Sequence, residues 1–323
     1  MAAKTESSKN IGSSRSEFFK KYGIVLILLL MVIGMTIAKP VFIRSANIIN
    51  IFRQVSVIGT LAFGVTLIII TGGIDLSSGS VVALVGVVAA TFASPGESVI
   101  VAILVALAVG AACGLFNGTV LAVTGIPPFI VTLGMMTAAR GAALLFTDGR
   151  PVSDISEGFL YFGSGTIGFL PVPVLIFLVM GGITHVLLRK SKFGKTIYAY
   201  GGNEQAAKVC GINVKRVLII VYTYAGIMSA VGGIILTARV SSGNPTAGLG
   251  YELDAIASAV IGGTSLNGGV GFITGTIIGA LIIGVLNNGL TLMGVSPYWQ
   301  QIIKAIIIIG AVVLDSYKHK GGK

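Results

Sequence analysis

The chain has 323 residues: 54% are apolar, 46 are Gly, and only 10% are Asp, Glu, Lys or Arg. An average soluble chain carries about 25% charged residues and about 7% Gly, so a soluble fold of this size lacks the charge to cover its exterior. Disordered, collagen-like and disulfide-stapled classes fail on the same numbers. What remains is an all-α, polytopic membrane bundle. Ten spans of about 20 residues leave no room for a large soluble catalytic domain.

The net charge of +11 is not spread as a nucleic-acid surface would be. Of 22 Lys and Arg, five lie in residues 1–21, seven between Arg189 and Arg216, and three after Tyr317. Basic clusters separated by nearly uncharged apolar runs are the pattern of cytoplasmic loops in a membrane protein. No nucleic-acid partner follows from them; the lipid bilayer does. The two Cys, Cys113 and Cys210, and the two His, His185 and His319, form no disulfide framework and no metal-spaced cluster.

In chain order, a polar and basic segment over 1–21 precedes a first span at 22–38. Its long polar leader and Lys39-Pro40 argue against a cleaved signal peptide. Further spans are predicted at 52–71, 79–93, 98–123, 127–147, 172–188, 217–240, 252–265, 270–290 and 297–316. The membrane-embedded body is thus 22–316, with a cytoplasmic tail at 317–323 and both termini cytoplasmic. An even count also places the basic loop 189–216 inside and the acidic stretch 148–171 outside.

Two segments stand out. The 79–93 run is short, and the apolar run after Asp254 has about eight residues, or about 12 Å of helix, before Gly262-Gly263. A broken or tilted helix beginning before Glu252 is predicted. Interrupted helices need protein or a cavity over their freed backbone groups, and in transporters they mark the route. Gly72–Ser77 and Gly262–Asn267 echo one another, as do Asn117-Gly118 and Asn288-Gly289; neither echo carries a repeat architecture. Small residues recur every fourth position at Gly110/Gly114/Gly118, Gly271/Gly275/Gly279 and Gly134/Ala138/Ala142, leaving grooves where another helix backbone can approach.

Two nucleotide-like motifs fail on context. Gly163–Gly168 matches G-x-G-x-x-G but has no strand before it and no soluble helix after it. Gly194-Lys195-Thr196 resembles the end of a phosphate-binding loop, yet the position that must be Gly is Arg189. The inward loop instead encodes a short helix. Asn203 caps it, Glu204 suits its positive end, Ala206 and Ala207 keep one face thin, and Gly211 stops it. So short a helix is marginal alone and must dock on a partner or the membrane surface.

Four runs in order then carry a resemblance: Gly72–Ser80 (GGIDLSSGS), Pro127–Met136 (PPFIVTLGMM), Asn203-Glu204-Gln205-Ala206-Ala207 with Gly211-Ile212-Asn213, and Ile261–Gly269 (IGGTSLNGG). They resemble the ribose-type monosaccharide permeases of ABC importers over nearly the whole chain; Ser78 and Asn267 depart from the pattern. The resemblance implies a homodimeric permease in a bacterial inner membrane, not an enzyme. A cytoplasmic ATPase subunit holding ATP and Mg would sit below, and an extracytoplasmic sugar-binding protein above. Residues Glu204–Gly211 would form the coupling helix in the ATPase groove, and this chain needs no cofactor.

Polar residues inside the spans fit a neutral polyol: Asn117, Thr132, Asn287 and Asn288 offer hydrogen bonds without fixed charge, and Asp75 and Phe129 complete the candidate route. Helix–helix bonding accounts for each of the four equally well, and Asp75 can instead cap the following helix. Arg140, Arg239 and Lys304 need partners or water. An ion-coupled secondary transporter, the rival reading, needs carboxylates at mid-span; the acidic residues here are expected near span ends or in loops.

Overall fold

The computed structural model describes residues 23–320; residues 1–22, which include the segment 1–21 and the first residue of the expected span 22–38, and the last three residues lie outside the described part. The chain is helical apart from one hairpin of two-residue strands among the described residues. A first helix, α1 (Gly23–Ala38), leads through a 3₁₀ turn at Pro40–Ile43 into α2 (Ser45–Ile70). Then come α3 (Ser78–Phe92), α4 (Val99–Thr124), α5 (Pro128–Phe146) and the short α6 (Glu157–Ser164). The hairpin β1 (Thr166–Ile167) and β2 (Leu170–Pro171) turns through Gly168 at φ +62° into α7 (Val172–Lys190). The loop helices α8 (Lys192–Gly202) and α9 (Glu204–Val209) precede α10 (Val214–Val240), α11 (Tyr251–Ile261), α12 (Ile273–Leu292) and α13 (Pro297–Lys320).

Helix boundaries follow local chemistry. α4 stops at Gly125, left-handed at φ +69°, whose N–H closes on the Leu121 carbonyl. Pro127-Pro128 then restarts the chain, with a Pro in the first turn of α5 where its missing N–H costs nothing. Among the described residues six helices are long and apolar enough to cross a membrane: α2, α4, α5, α7, α10 and α12. α2 is almost wholly buried and forms the axis of the bundle, whereas α4 and α5 leave most of their surfaces outward.

Two of the three small-residue rows are helix seams. A Cβ on Gly110, Gly114 or Gly118 of α4 would collide with the α10 backbone at Gly226, Tyr222 or Ile219. Gly275 and Gly279 of α12 press likewise on the Gly262 and Ser258 carbonyls at α11, while Gly271 meets Ile70 and Thr264 instead. In lipid, such close approach replaces the hydrophobic drive as the source of association. The third row is different: Gly134 has nothing within 4 Å, and Ala138 and Ala142 are exposed. Elsewhere the core is aromatic, with Phe63 of α2 stacked on Phe177 of α7 at 5.1 Å. Gly59 and Gly181 provide the notches that hold those two rings.

α3 and α11 are short. Their 15 and 11 residues extend about 22 Å and about 16 Å, below the ~30 Å of a bilayer core. The helix expected over 252–265 begins at Tyr251 and ends at Ile261. Gly262 bonds back to Ser258, and Gly263 at φ +90° turns the chain out of helical geometry. Residues 262–272 are irregular, tied to the end of α2 by the Gly269 N–H on the Ile70 carbonyl. At the other terminus α13 continues to Lys320, so the tail expected from 317 is helical as far as that residue.

Candidate functional site

The end of the bundle that carries α8 and α9 gathers most of the residues singled out in the sequence. Asn203 caps α9, its Oδ1 accepting the Ala206 N–H at 2.9 Å. Gly211 closes the helix at φ +79°, with the Gly211 N–H on the Lys208 carbonyl and the Ile212 N–H on that of Ala207. The helix proper is six residues, ending at Val209 rather than reaching Gly211, because the last turn is spent on this closure. Glu204 pairs with Lys208 at 2.8 Å, both half-exposed, an arrangement worth little in water. The side chains divide by face: Ala207 is 4% exposed and packs into its own chain, while Val209 is 89% exposed. Gln205, Ala206 and Cys210 share the outward surface.

Beside α9 lies a cavity of about 640 Å³. Its walls are Asn203, Glu204 and Lys208, the α4–α5 turn at 124–128, Gly72-Gly73, and Lys215 of α10. Tyr200 of α8 also lines it, its phenol pushed up to about 12 by burial, with the Glu204 carboxylate adding to the shift.

Behind Gly73 the cavity wall meets a buried polar cluster. A Cβ on Gly73 would lie 2.6 Å from the Tyr222 hydroxyl, which is buried without a partner. Asp75 Oδ1 accepts the Ser77 N–H at 2.7 Å and the Ser77 hydroxyl at 2.6 Å, so it does hold the start of α3. Asn117 of α4 donates to the Ser77 Oγ at 3.1 Å and leaves its own Oδ1 unpaired. Thr132 of α5 accepts the Leu76 N–H at 3.2 Å and donates to the Pro128 carbonyl at 3.1 Å. Asp75, Asn117 and Thr132 thus meet on one loop, while Phe129 is half-exposed in the first turn of α5.

Asn287 and Asn288 lie elsewhere, on α12. Asn288 and Asn47 exchange two bonds of 2.9 Å, locking α12 to α2. Asn287 donates to Asp254 at 3.4 Å, and Lys304 of α13 reaches the same carboxylate at 2.9 Å. Asp75 and Asp254 are therefore interior groups, not the peripheral ones expected from their positions near span ends. The other intramembrane cations also have partners. Arg140 donates to the Pro245 and Ala247 carbonyls at 2.7 and 2.8 Å, and Arg239 to Asn50 at 3.3 Å. Sequence reading missed Tyr222, an aromatic in an apolar span with no distinguishing neighbour. It also missed α6, although Ser156 before Glu157 is a helix-start signal.

Comparison with known proteins matches residues 47–312 to the family described as branched-chain amino acid transport system / permease component. The ribose import permease protein RbsC of Bacillus subtilis (strain 168) is 46% identical over 301 residues, covering 93% of this chain and 94% of the relative. The ribose import permease protein RbsC of Escherichia coli (strain K12) is 44% identical over 310 residues, covering 95% and 96%. The galactose/methyl galactoside import permease protein MglC of the same strain is 40% identical over 321 residues, covering 94% and 96%. No solved structure matches the chain. Alignment from the second helix to the last, with a helical body that agrees, makes this chain a member of that family of transport-system permease components.

Proposed function

We propose that the chain is the membrane-spanning subunit of an ABC importer that brings a monosaccharide, a ribose-like pentose first, into a bacterial cell by alternating access. The similarity to ribose and galactose import permeases over nine-tenths of the chain carries this reading. Its working form is a pair of these chains in the inner membrane, with ten spans each and both termini cytoplasmic. The flanking segments 1–21 and 317–323 lie inside with the basic loop 189–216. A cytoplasmic ATPase subunit, holding ATP and Mg, docks at α9, and an extracytoplasmic sugar-binding protein delivers the solute at the α6 end.

Residues Asn203, Glu204, Gln205, Ala206, Ala207 and Gly211 act as the coupling element, with a division of labour. Asn203 and Gly211 set the helix ends, Ala207 seats it against its own bundle, and Gln205, Ala206 and Val209 meet the partner. ATPase closure would push α9 against the cavity beside it and so reach the Asp75–Asn117–Thr132 cluster one layer further in. Those three residues and Phe129 form the inner part of the route, while Asn287 and Asn288 brace the helices around it.

The buried carboxylates Asp75 and Asp254 are the one observation favouring an ion-coupled transporter. Each is already bound, to Ser77 and to Lys304. Reconstitution in liposomes separates the readings. The complete importer should accumulate labelled ribose only with ATP, and this chain alone should accumulate none. Uphill uptake by the chain alone on a proton or sodium gradient would overturn the importer reading.

A further inference from the structure

The face of the molecule that carries residues 241–250 is not built to meet lipid. α10 ends at Val240, Ser241 turns at φ +53°, and the chain then runs without helix to Gly250. It does not stay at the bundle's rim. Gly243 packs on Gly86 and Ala90 in the second half of α3, whereas the Gly248 carbonyl and the Glu252 carboxylate press on Gly79 in its first turn. From Gly79 to Phe92, α3 rises about 20 Å, so Gly248 lies about that far below the outer end. In the ten-span arrangement proposed above, that descent takes the segment into the body of the membrane, where it turns into α11.

Irregular backbone at that depth is tolerated only where protein or a water-filled cavity covers it. Among the described residues the cover is partial: Gly243, Pro245 and Gly248 are buried, but Thr246 is exposed and Leu249 is 70% exposed. Two ionisable groups sit at the same level. Arg140 holds the segment through Nη1, bonded to the Pro245 and Ala247 carbonyls, which leaves its Nε and Nη2 for another partner. The Glu252 carboxylate acts on Arg140 electrostatically without forming an ion pair. Both are partly exposed, and charge facing hydrocarbon is too costly to persist. On the same side α5 presents Thr137 with Gly134 and Gly141, neither of which has any atom within 4 Å of its Cβ position.

We infer that this face lines the middle of the solute's route, with Thr137, Arg140, Thr246 and Glu252 offering hydrogen bonds to a neutral polyhydroxylated molecule in an aqueous passage. The inference rests on the transport reading above and goes beyond it by assigning the mid-membrane lining. Donors and acceptors without a net charge, Arg140 against Glu252, suit a sugar, and the small residues of α5 leave width for it.

Thiol accessibility tests this in the intact importer carrying Cys113→Ala and Cys210→Ser. Thr246→Cys should react with a charged, water-soluble methanethiosulfonate far faster than Ile183→Cys, an exposed apolar position midway along α7. Modification at Thr246→Cys should abolish uptake of labelled ribose and galactose, and modification at Ile183→Cys should not. If Thr246→Cys is no more reactive than Ile183→Cys, or reacts with uptake unchanged, the route does not pass here. Failure of the unmodified importer to accumulate either sugar would count instead against the transport reading, and the reactivity comparison would still decide the lining.

Discussion

At the scale of single residues, the two faces of α9 make separable predictions. Val209 is almost wholly exposed and touches nothing the fold needs, so Val209→Asp should leave expression and thermal stability unchanged. Its effect should be on co-purification of the ATPase, weakening association by about 1 kcal/mol or more if the position lies inside the contact. Ala207→Trp should do the opposite first. Ala207 is buried in its own chain, and overfilling such a site costs about 1–3 kcal/mol, read as a lower melting temperature of the permease without any partner. Normal ATPase binding by Val209→Asp would remove α9 from the coupling contact. The rings of Phe63 and Phe177 test packing similarly. Gly59→Leu would drive a side chain into the Phe177 ring and should destabilise by about 1–3 kcal/mol, whereas Gly182→Leu, with open space around it, should be nearly silent.

Among elements, the critical joint is the one between α11 and α13. α11 is too short to span and is held by α12 through small-residue packing and by α13 through the Asp254–Lys304 pair at 2.9 Å. Removing one partner of a buried pair strands a charge and costs about 3–5 kcal/mol, while replacing both by apolar groups is often neutral. Lys304→Met alone should therefore lower stability sharply, and Asp254→Leu with Lys304→Met should recover most of it. Loss of stability in the double variant equal to the sum of the singles would show that the pair is not what joins these helices. The element scale also shows where sequence pattern is weakest. The α4 and α12 glycine rows are real seams, but the identical spacing in α5 is not a seam within this chain. Spacing says that a backbone can approach, and only the arrangement of neighbours says which one does.

For the whole molecule, the prediction is topological. Cysteines placed at residues 5 and 320 should react only after the membrane is opened, and one at Thr166, in the hairpin at the opposite end from α9, should react in intact cells. Labelling of either terminal site from outside would invert or break the ten-span arrangement. Composition and charge placement determined that the chain is an α-helical membrane protein, and the apolar runs located the long helices to within a few residues, except that α2 begins at Ser45, seven residues before the expected 52. That information is local, since apolar length, Pro and Gly punctuation and capping side chains act through near neighbours in sequence. The caps at Asn203 and Gly211 were legible for the same reason. Only the tertiary structure decided that Asp75, Asn117 and Thr132 meet while Asn287 and Asn288 do not, that Ala207 points inward, and that residues 241–250 run along α3 as far as Gly79. Each of these depends on groups many residues apart, Arg140 on Ala247 or Lys304 on Asp254, and their pairing is set by how the helices pack.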